Sequence, residues 1–274
     1  MIIQIAARSQ RPKVLQLMLV ARRMKEWVEP ILYEVITLRG LHSAARLLQT
    51  LRKRPGLGTF VKALCTMSLH GRDRDSYAVL VVDACPCVED LAARSYDLGF
   101  STLNSRGSLR RLSINVHDFS NRKFGDALRT PAFANITHFS VSGIPVGVST
   151  FVYGWDLHPL VSLTHLRLRF DDWIDDEAEI VPLGVLVAAP QMRLLLVEPG
   201  RTYVMDSWVT AAESALTTFD PRLVFFVSLR NEIQDWEAST QGEKDGWTRG
   251  EEHVLVQQAS RRQDVSLQVF DALK

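Results

Sequence analysis

One spacing of apolar positions recurs along the chain: an apolar residue, two variable ones, an apolar residue, one variable, and an apolar residue. It occurs at Tyr33, Ile36 and Leu38, at Leu64, Met67 and Leu69, and at Leu109, Leu112 and Ile114. It returns at Ile136, Phe139 and Val141, at Leu163, Leu166 and Leu168, and at Val224, Val227 and Leu229. Looser copies start at Val88 and Met192. Side chains alternate along an extended segment, so the fourth and sixth positions share one face. The first position closes the turn into the strand on the same core. The fourth positions are Ile36, Met67, Leu91, Leu112, Phe139, Leu166, Leu195 and Val227, separated by 31, 24, 21, 27, 27, 29 and 32 residues. Between them the apolar period becomes helical, at residues 44–51, 75–84, 179–189 and 207–216. Asp75 and Ser207 suit N-caps, and Pro86 and Pro190 follow two helix ends.

Strand–helix alternation at this period predicts an α/β protein with parallel strands and flanking helices. The spacing is the leucine-rich-repeat template, whose period is about 20–29 residues. The expected fold is therefore a curved leucine-rich-repeat-like solenoid over residues 32–230. The alternative is an ordinary α/β domain with coincidental matches. The equal spacing of Leu112, Phe139 and Leu166 argues for the solenoid. Ahead of the repeats, Leu17, Ala21, Met24 and Val28, widened by Val14, Met18 and Trp27, predict a helix over 11–29 that Pro30 ends. Residues 1–31 are expected to form a helical N-terminal cap. Residues 231–274 are expected to form a C-terminal cap anchored by Trp236 and Trp247.

Charge adds an asymmetry. The 32 Lys and Arg nearly balance the 31 Asp and Glu of this 274-residue chain, which speaks against a nucleic-acid coat. Yet residues 1–54 hold eleven basic residues against three acids, while 171–179 holds six acids in nine positions. The acid-poor start is read as a solvated helix face rather than a mitochondrial presequence. Three cysteines make no disulfide framework, so an intracellular setting, cytoplasmic or nuclear, is expected. The apolar run at 14–21 is far short of the roughly 20 residues a spanning helix needs, so no membrane association is expected.

Catalytic signatures are weak. No phosphate-binding loop, nucleophile elbow, zinc-protease helix or dinucleotide fingerprint occurs. The chain is read as a non-enzyme with no cofactor and no metal. Cys85 and Cys87 lack the second pair a zinc site requires. His138 and His165 occupy one slot of successive repeats, so they follow the repeat rather than mark a site. The candidate site is instead a polar strip between the inward anchors: Arg39, His70, Arg94, Asn115, Ser140, Arg167, Arg169 and Arg230. Guanidinium groups grip carboxylate or phosphate with paired hydrogen bonds. The strip is thus expected to bind an acidic or phosphorylated protein segment. The competing expectation is that Arg167 and Arg169 neutralise the acids at 171–179 and keep the sheet soluble.

The run from Val14 to Tyr33, with Leu19, Val20, Ala21, Arg22, Arg23, Met24 and then Glu29, Pro30, Ile31, Leu32, Tyr33, resembles the last helix of an F-box. With Leu109–Ser113, Leu163–Leu166, Phe219–Arg222 and the late Trp236 and Trp247, the chain is similar to the F-box/leucine-rich-repeat proteins of basidiomycete fungi. The resemblance implies a protein-interaction module acting as a monomer and a substrate receptor of a cullin-type ubiquitin ligase, with a Skp-type adaptor and a substrate protein as partners. Its alternatives are a repeat scaffold without adaptor binding and, third, a small α/β enzyme. The start at Met1 to Ile5 corresponds to the second helix of an F-box. The segment is therefore expected to cap the solenoid, with Leu17, Met18, Ala21, Met24 and Trp27 packed on the first repeat and Arg22, Arg23 and Lys25 solvated.

Overall fold

A computed structural model describes residues 22–69, 74–94, 107–116, 128–144, 157, 159–170, 189–198, 220–225 and 230–272. At 22–25, 74–76, 132 and 260–272 only the backbone is described. Eight short strands form one sheet in strict chain order: β1 (Val35–Thr37), β2 (Ala63–Cys65), β3 (Asp90–Arg94), β4 (Arg111–Asn115), β5 (His138–Ile144), β6 (His165–Phe170), β7 (Leu194–Glu198) and β8 (Leu223–Phe225). The pairs β1–β2, β2–β3, β5–β6, β6–β7 and β7–β8 are parallel. Each strand adds beside its predecessor. The chain divides into two compact units within β4, at Leu112 and Ser113.

The register identifies the structural repeat. Ile36 pairs with Leu64 and Leu64 with Leu91. Phe139 pairs with Leu166, Leu166 with Leu195, and Leu195 with Leu223. Two expected anchors are thereby corrected. Leu64, not Met67, is the β2 residue in register with Ile36. Met67 is buried, 5% exposed, but lies in the turn after a strand of only three residues. Leu223 takes the place expected of Val227, which lies outside the described residues. With Leu64 and Leu223 as anchors the steps become 28, 27, 21, 27, 27, 29 and 28 residues. Leu64, Leu91, Phe139, Leu166, Leu195 and Leu223 are all fully buried.

A backbone device repeats with the anchors. Two positions before the anchor, one carbonyl accepts two successive N–H groups of the next strand. Lys62 O accepts from Glu89 N and Asp90 N, and Glu89 O from Arg110 N and Arg111 N. Thr137 O accepts from Thr164 N and His165 N, and Thr164 O from Arg193 N and Leu194 N. At these four steps the entry of the next strand is held by backbone groups, joined at Thr137 O by the Thr164 hydroxyl at 3.1 Å.

In the first unit, helix α1 (Arg22–Glu34) precedes β1, and α2 (Leu41–Lys53) joins β1 to β2 through a 3-10 turn at Pro55–Phe60. Helix α3 (Arg74–Asp83) joins β2 to β3. The expected helices at 44–51 and 75–84 fall in α2 and α3. Asp75 sits one residue inside α3 rather than ahead of it. Pro30 lies within α1, against the expectation that it ends the helix. A proline in a helix interior forfeits one hydrogen bond and costs about 3 kcal/mol. Burial of Val28 at 0% and Ile31 at 6% on either side holds the helix through it. Trp27 was expected to pack on the first repeat; it lies on the flank of that buried face and is 49% exposed. Gly58 is required by proximity, because a Cβ there would stand 1.9 Å from the Ala84 carbonyl oxygen at the end of α3. The expected packing of Leu17, Met18 and Ala21, the solvation of Arg22, Arg23 and Lys25, the side-chain packing of Met24, and the helix at 207–216 lie outside what is described, as does 179–189 except for Ala189.

In the second unit the chain after β8 returns as two helices, α4 (Glu232–Thr240) and α5 (Gly246–Ala272). Helix α4 opens with a capping box. Asn231 Oδ1 accepts from Gln234 N at 2.9 Å while Gln234 Oε1 accepts from Asn231 N at 3.1 Å. The expected C-terminal anchors behave differently: Trp236 is buried, whereas Trp247 is half-buried against the sheet. Among the described residues no helix is long and apolar enough to cross a membrane.

Candidate functional site

The repeat register creates a second face between the anchors. On β5 it carries His138, Ser140 and Ser142, on β6 His165, Arg167 and Arg169, and on β7 Leu194, Leu196 and Glu198. Ser140 pairs with Arg167 and Arg167 with Leu196, while Arg169 pairs with Glu198. The C-terminal helices lie on this face. Val254 of α5 joins Leu194, Leu196 and Val224 in a buried cluster flanked by Trp247. Gly250, one helical turn earlier, permits the approach, since a Cβ there would meet Leu194 Cδ2 at 2.8 Å and Leu196 Cδ1 at 2.9 Å.

Beside that apolar seam is a buried ionic network. Arg167 is 5% exposed. Its Nε and Nη2 donate to Glu198 Oε2 at 3.0 and 2.7 Å, and its Nη1 donates to Asp235 Oδ2. Asp235 also accepts from Arg249 Nη2 at 3.0 Å and from the backbone N–H of Gly246 at 3.2 Å. Arg169 pairs with Glu198 Oε1 at 2.9 Å and donates to the Arg230 carbonyl at 3.3 Å. Burial alone would lower the Arg167 pKa, but the charges of Glu198 and Asp235 and its hydrogen bonds to both outweigh it and hold it above the ordinary arginine value. Burial pushes the Glu232 carboxyl up, opposed by a hydrogen bond from the Ser142 hydroxyl and the charge of Arg169. Removing one partner from such a buried group strands a charge in a poorly solvated site.

Next along the same face is an aromatic ladder. His138 and His165 stack with ring centroids 4.2 Å apart and planes at 3°. The Trp247 ring meets both at nearly right angles, at 5.5 and 6.0 Å. Thr137 Oγ1 lies 2.9 Å from His138 Nδ1, and Thr164 Oγ1 lies 2.8 Å from His165 Nδ1. His165 Nε2 faces Glu251 Oε1 of α5 at 3.0 Å. The two rings do occupy one slot of successive repeats, and α5 closes over them.

Of the eight residues of the expected strip, Ser140, Arg167, Arg169 and Arg230 come together in the second unit. Arg230 makes contacts at the strip's edge, donating to Lys244 O at 3.4 Å and to Glu243 Oε2 at 3.3 Å. Arg39 is exposed just after β1, Arg94 ends β3 and Asn115 ends β4, the last two half-buried. His70 lies outside the described residues. The acids at 171–179, expected to neutralise Arg167 and Arg169, also lie outside them. The described partners are Glu198, Asp235 and Glu232 instead. Glu198 had a legible signal: it is the lone acid on an otherwise apolar strand, at the position that repeats Arg169. Asp235, 68 residues from Arg167, had none.

Cys85 is buried and Cys87 half-buried after α3, and neither is in a disulfide. Among the described residues no group of three His, Cys, Asp or Glu side chains is placed to hold a metal. The arrangement joins the guanidinium groups of Arg167 and Arg169 and the stacked rings of His138 and His165 to helices that carry Asp235, Trp247 and Glu251. No protein-family model matches the chain, and no curated protein matches its sequence.

Proposed function

We propose that this chain is a non-enzymatic protein-interaction module built as a curved leucine-rich-repeat-like solenoid. The observation that carries the reading is the stepwise parallel sheet, in which each step of about 27 residues presents equivalent face positions beside a buried anchor. The partner is an acidic or phosphorylated protein segment. Supporting that choice, the strip around Arg167 and Arg169 engages carboxylates of the protein's own C-terminal helices. The finer reading is a monomeric intracellular substrate receptor of a cullin-type ubiquitin ligase. It is supported by Trp27, half exposed in the segment that resembles an F-box helix.

The experiment is a binding assay of the purified chain against a Skp-type adaptor at micromolar concentration. The receptor reading expects retention, lost in Trp27→Ala with the fold intact. Absence of binding by the intact chain would leave the second reading, a repeat scaffold without an adaptor. That reading is favoured by one observation: Arg167 is already committed to Glu198 and Asp235 within its own chain.

A further inference from the structure

Helix α2 turns Ala44, Leu48 and Leu51 into the core and leaves His42, Arg46, Gln49 and Lys53 exposed. Steps of four, three and four residues set the exposed side chains in one row along the helix. Arg52 is exposed beside the row. The sequence of α2 holds no Asp or Glu, so no carboxylate stands one helical turn away to pair with these cations. Arg46, Arg52 and Lys53 make no ion pair with any described acid either. Other exposed cations are paired: Arg54 with Glu29, Lys62 with Glu89, Arg230 with Glu243 and Lys244 with Glu252.

The helix's own electrostatics account for part of this charge. A cation in the last turn complements the carbonyl end of the helix dipole, which suits Arg52 and Lys53. The effect fades beyond that turn, so it gives no reason for Arg46, about two turns before the end. The row lacks a countercharge, and an anionic partner supplies one. Its geometry selects the partner. A second helix repeats at the same pitch, so carboxylates spaced three and four residues apart on one of its faces meet the row throughout. An extended segment advances about 6.6 Å between side chains of one face and falls out of step within two turns. The row carries no aromatic ring on which nucleic-acid bases could stack. The helix α3 packs beside α2, and successive parallel crossovers put both on one side of the sheet. Its Leu80 is 44% exposed. One such side chain is too little for insertion into lipid, which takes a whole apolar helix face, but suits a contact between helices.

We propose that the outward row of α2 is a docking surface for an acidic helix of a partner protein, gripped through Arg46, Arg52 and Lys53. This goes beyond the function proposed above. The surface is distinct from the strip around Arg167 and needs no adaptor, so either reading can fail without the other. The pairs it forms are exposed to solvent, and binding therefore weakens as salt rises.

The test uses the full chain and a capped, alanine-based helical peptide of about three heptads with Glu along one face. A second peptide of the same composition distributes its Glu around the helix. Amide chemical shifts at low ionic strength read the binding. The one-face peptide is expected to shift the amides of α2 and to bind about tenfold more tightly than the dispersed one. Arg46→Gln with Lys53→Gln, both at exposed side chains, should weaken binding about tenfold with the circular dichroism unchanged. Arg193→Gln, at an exposed cation of the second unit, should leave binding unaltered. Absence of binding, equal affinity for the two peptides, or equal losses in the two variants would overturn the proposal. So would α2 shifts produced more strongly by phosphatidylserine vesicles or by oligothymidylate than by the one-face peptide.

Discussion

The two units use one backbone step to build faces of contrary chemistry. In the first, the positions beside the anchors include Ala63, Cys65 and Ala92, small and buried, and the half-buried Val35, Thr37 and Asp90. Among its described residues no ion pair between neighbouring strands is as buried as that of Arg167. In the second, the equivalent positions are His138, Ser140, His165, Arg167, Leu194 and Leu196, and two helices lie over them. One ion pair beside the strands of each unit shows the contrast. Lys62 and Glu89 meet at 2.7 Å with about half of each side chain in solvent, whereas Arg167, Glu198 and Asp235 are almost fully buried. The shared device, one carbonyl taking two N–H groups at two steps of each unit, uses the backbone whatever these side chains are. The repeat therefore fixes the fold through its anchors and leaves the alternate face to be specialised.

The sharpest way to break this comparison is to remove a cation from each unit. Arg167→Ala should cost about 3–5 kcal/mol, as expected when one member of a buried charged group is deleted. Lys62→Ala should cost about 0–1 kcal/mol, the range for exposed pairs. Urea unfolding monitored by circular dichroism reads both, and equal losses would erase the distinction between the faces. Anchor truncation should show no such contrast. Leu64→Ala and Leu166→Ala should each cost about 2–5 kcal/mol, because both leave a cavity in a fully buried site. A negligible loss at Leu64 would mean that the first unit is not held by its anchors.

The smallest effect is expected at Glu232. Its pKa is raised above the ordinary 4.5, chiefly by burial, so the folded state holds its proton more firmly than the unfolded chain. The stability this supplies is complete below the ordinary value and lost as pH rises through the folded one. Glu232→Gln keeps the group uncharged. Relative to the parent protein, the variant should therefore be more favoured at pH 7 than at pH 4 in parallel unfolding curves. An unchanged difference between the two pH values would remove the burial argument.

Anchors were legible where strand and spacing coincide, at Leu112, Phe139 and Leu166. They were misplaced where the strand is three residues long and apolar residues crowd it. Val61, Leu64 and Met67 all satisfy part of the pattern, and only pairing with Ile36 and Leu91 decides for Leu64. The polar strip was legible as a periodic run of Arg167 and Arg169. Its occupant was not, because Asp235, Arg249 and Glu251 reach it from helices whose order along the chain says nothing of where they dock. Pro30 misled for a related reason: a local breaker was overridden by the burial of Val28 and Ile31.

The central claim is that the C-terminal helices occupy the polar face of β5–β8 in their own chain. Proton–proton NOEs from the Trp247 indole test it directly. Trp247 meets His138 and His165 edge-on at centroid distances of 5.5 and 6.0 Å. Cross-peaks from the indole to both imidazole rings are therefore expected. Their absence in a folded sample, with α5 still helical, would contradict the account.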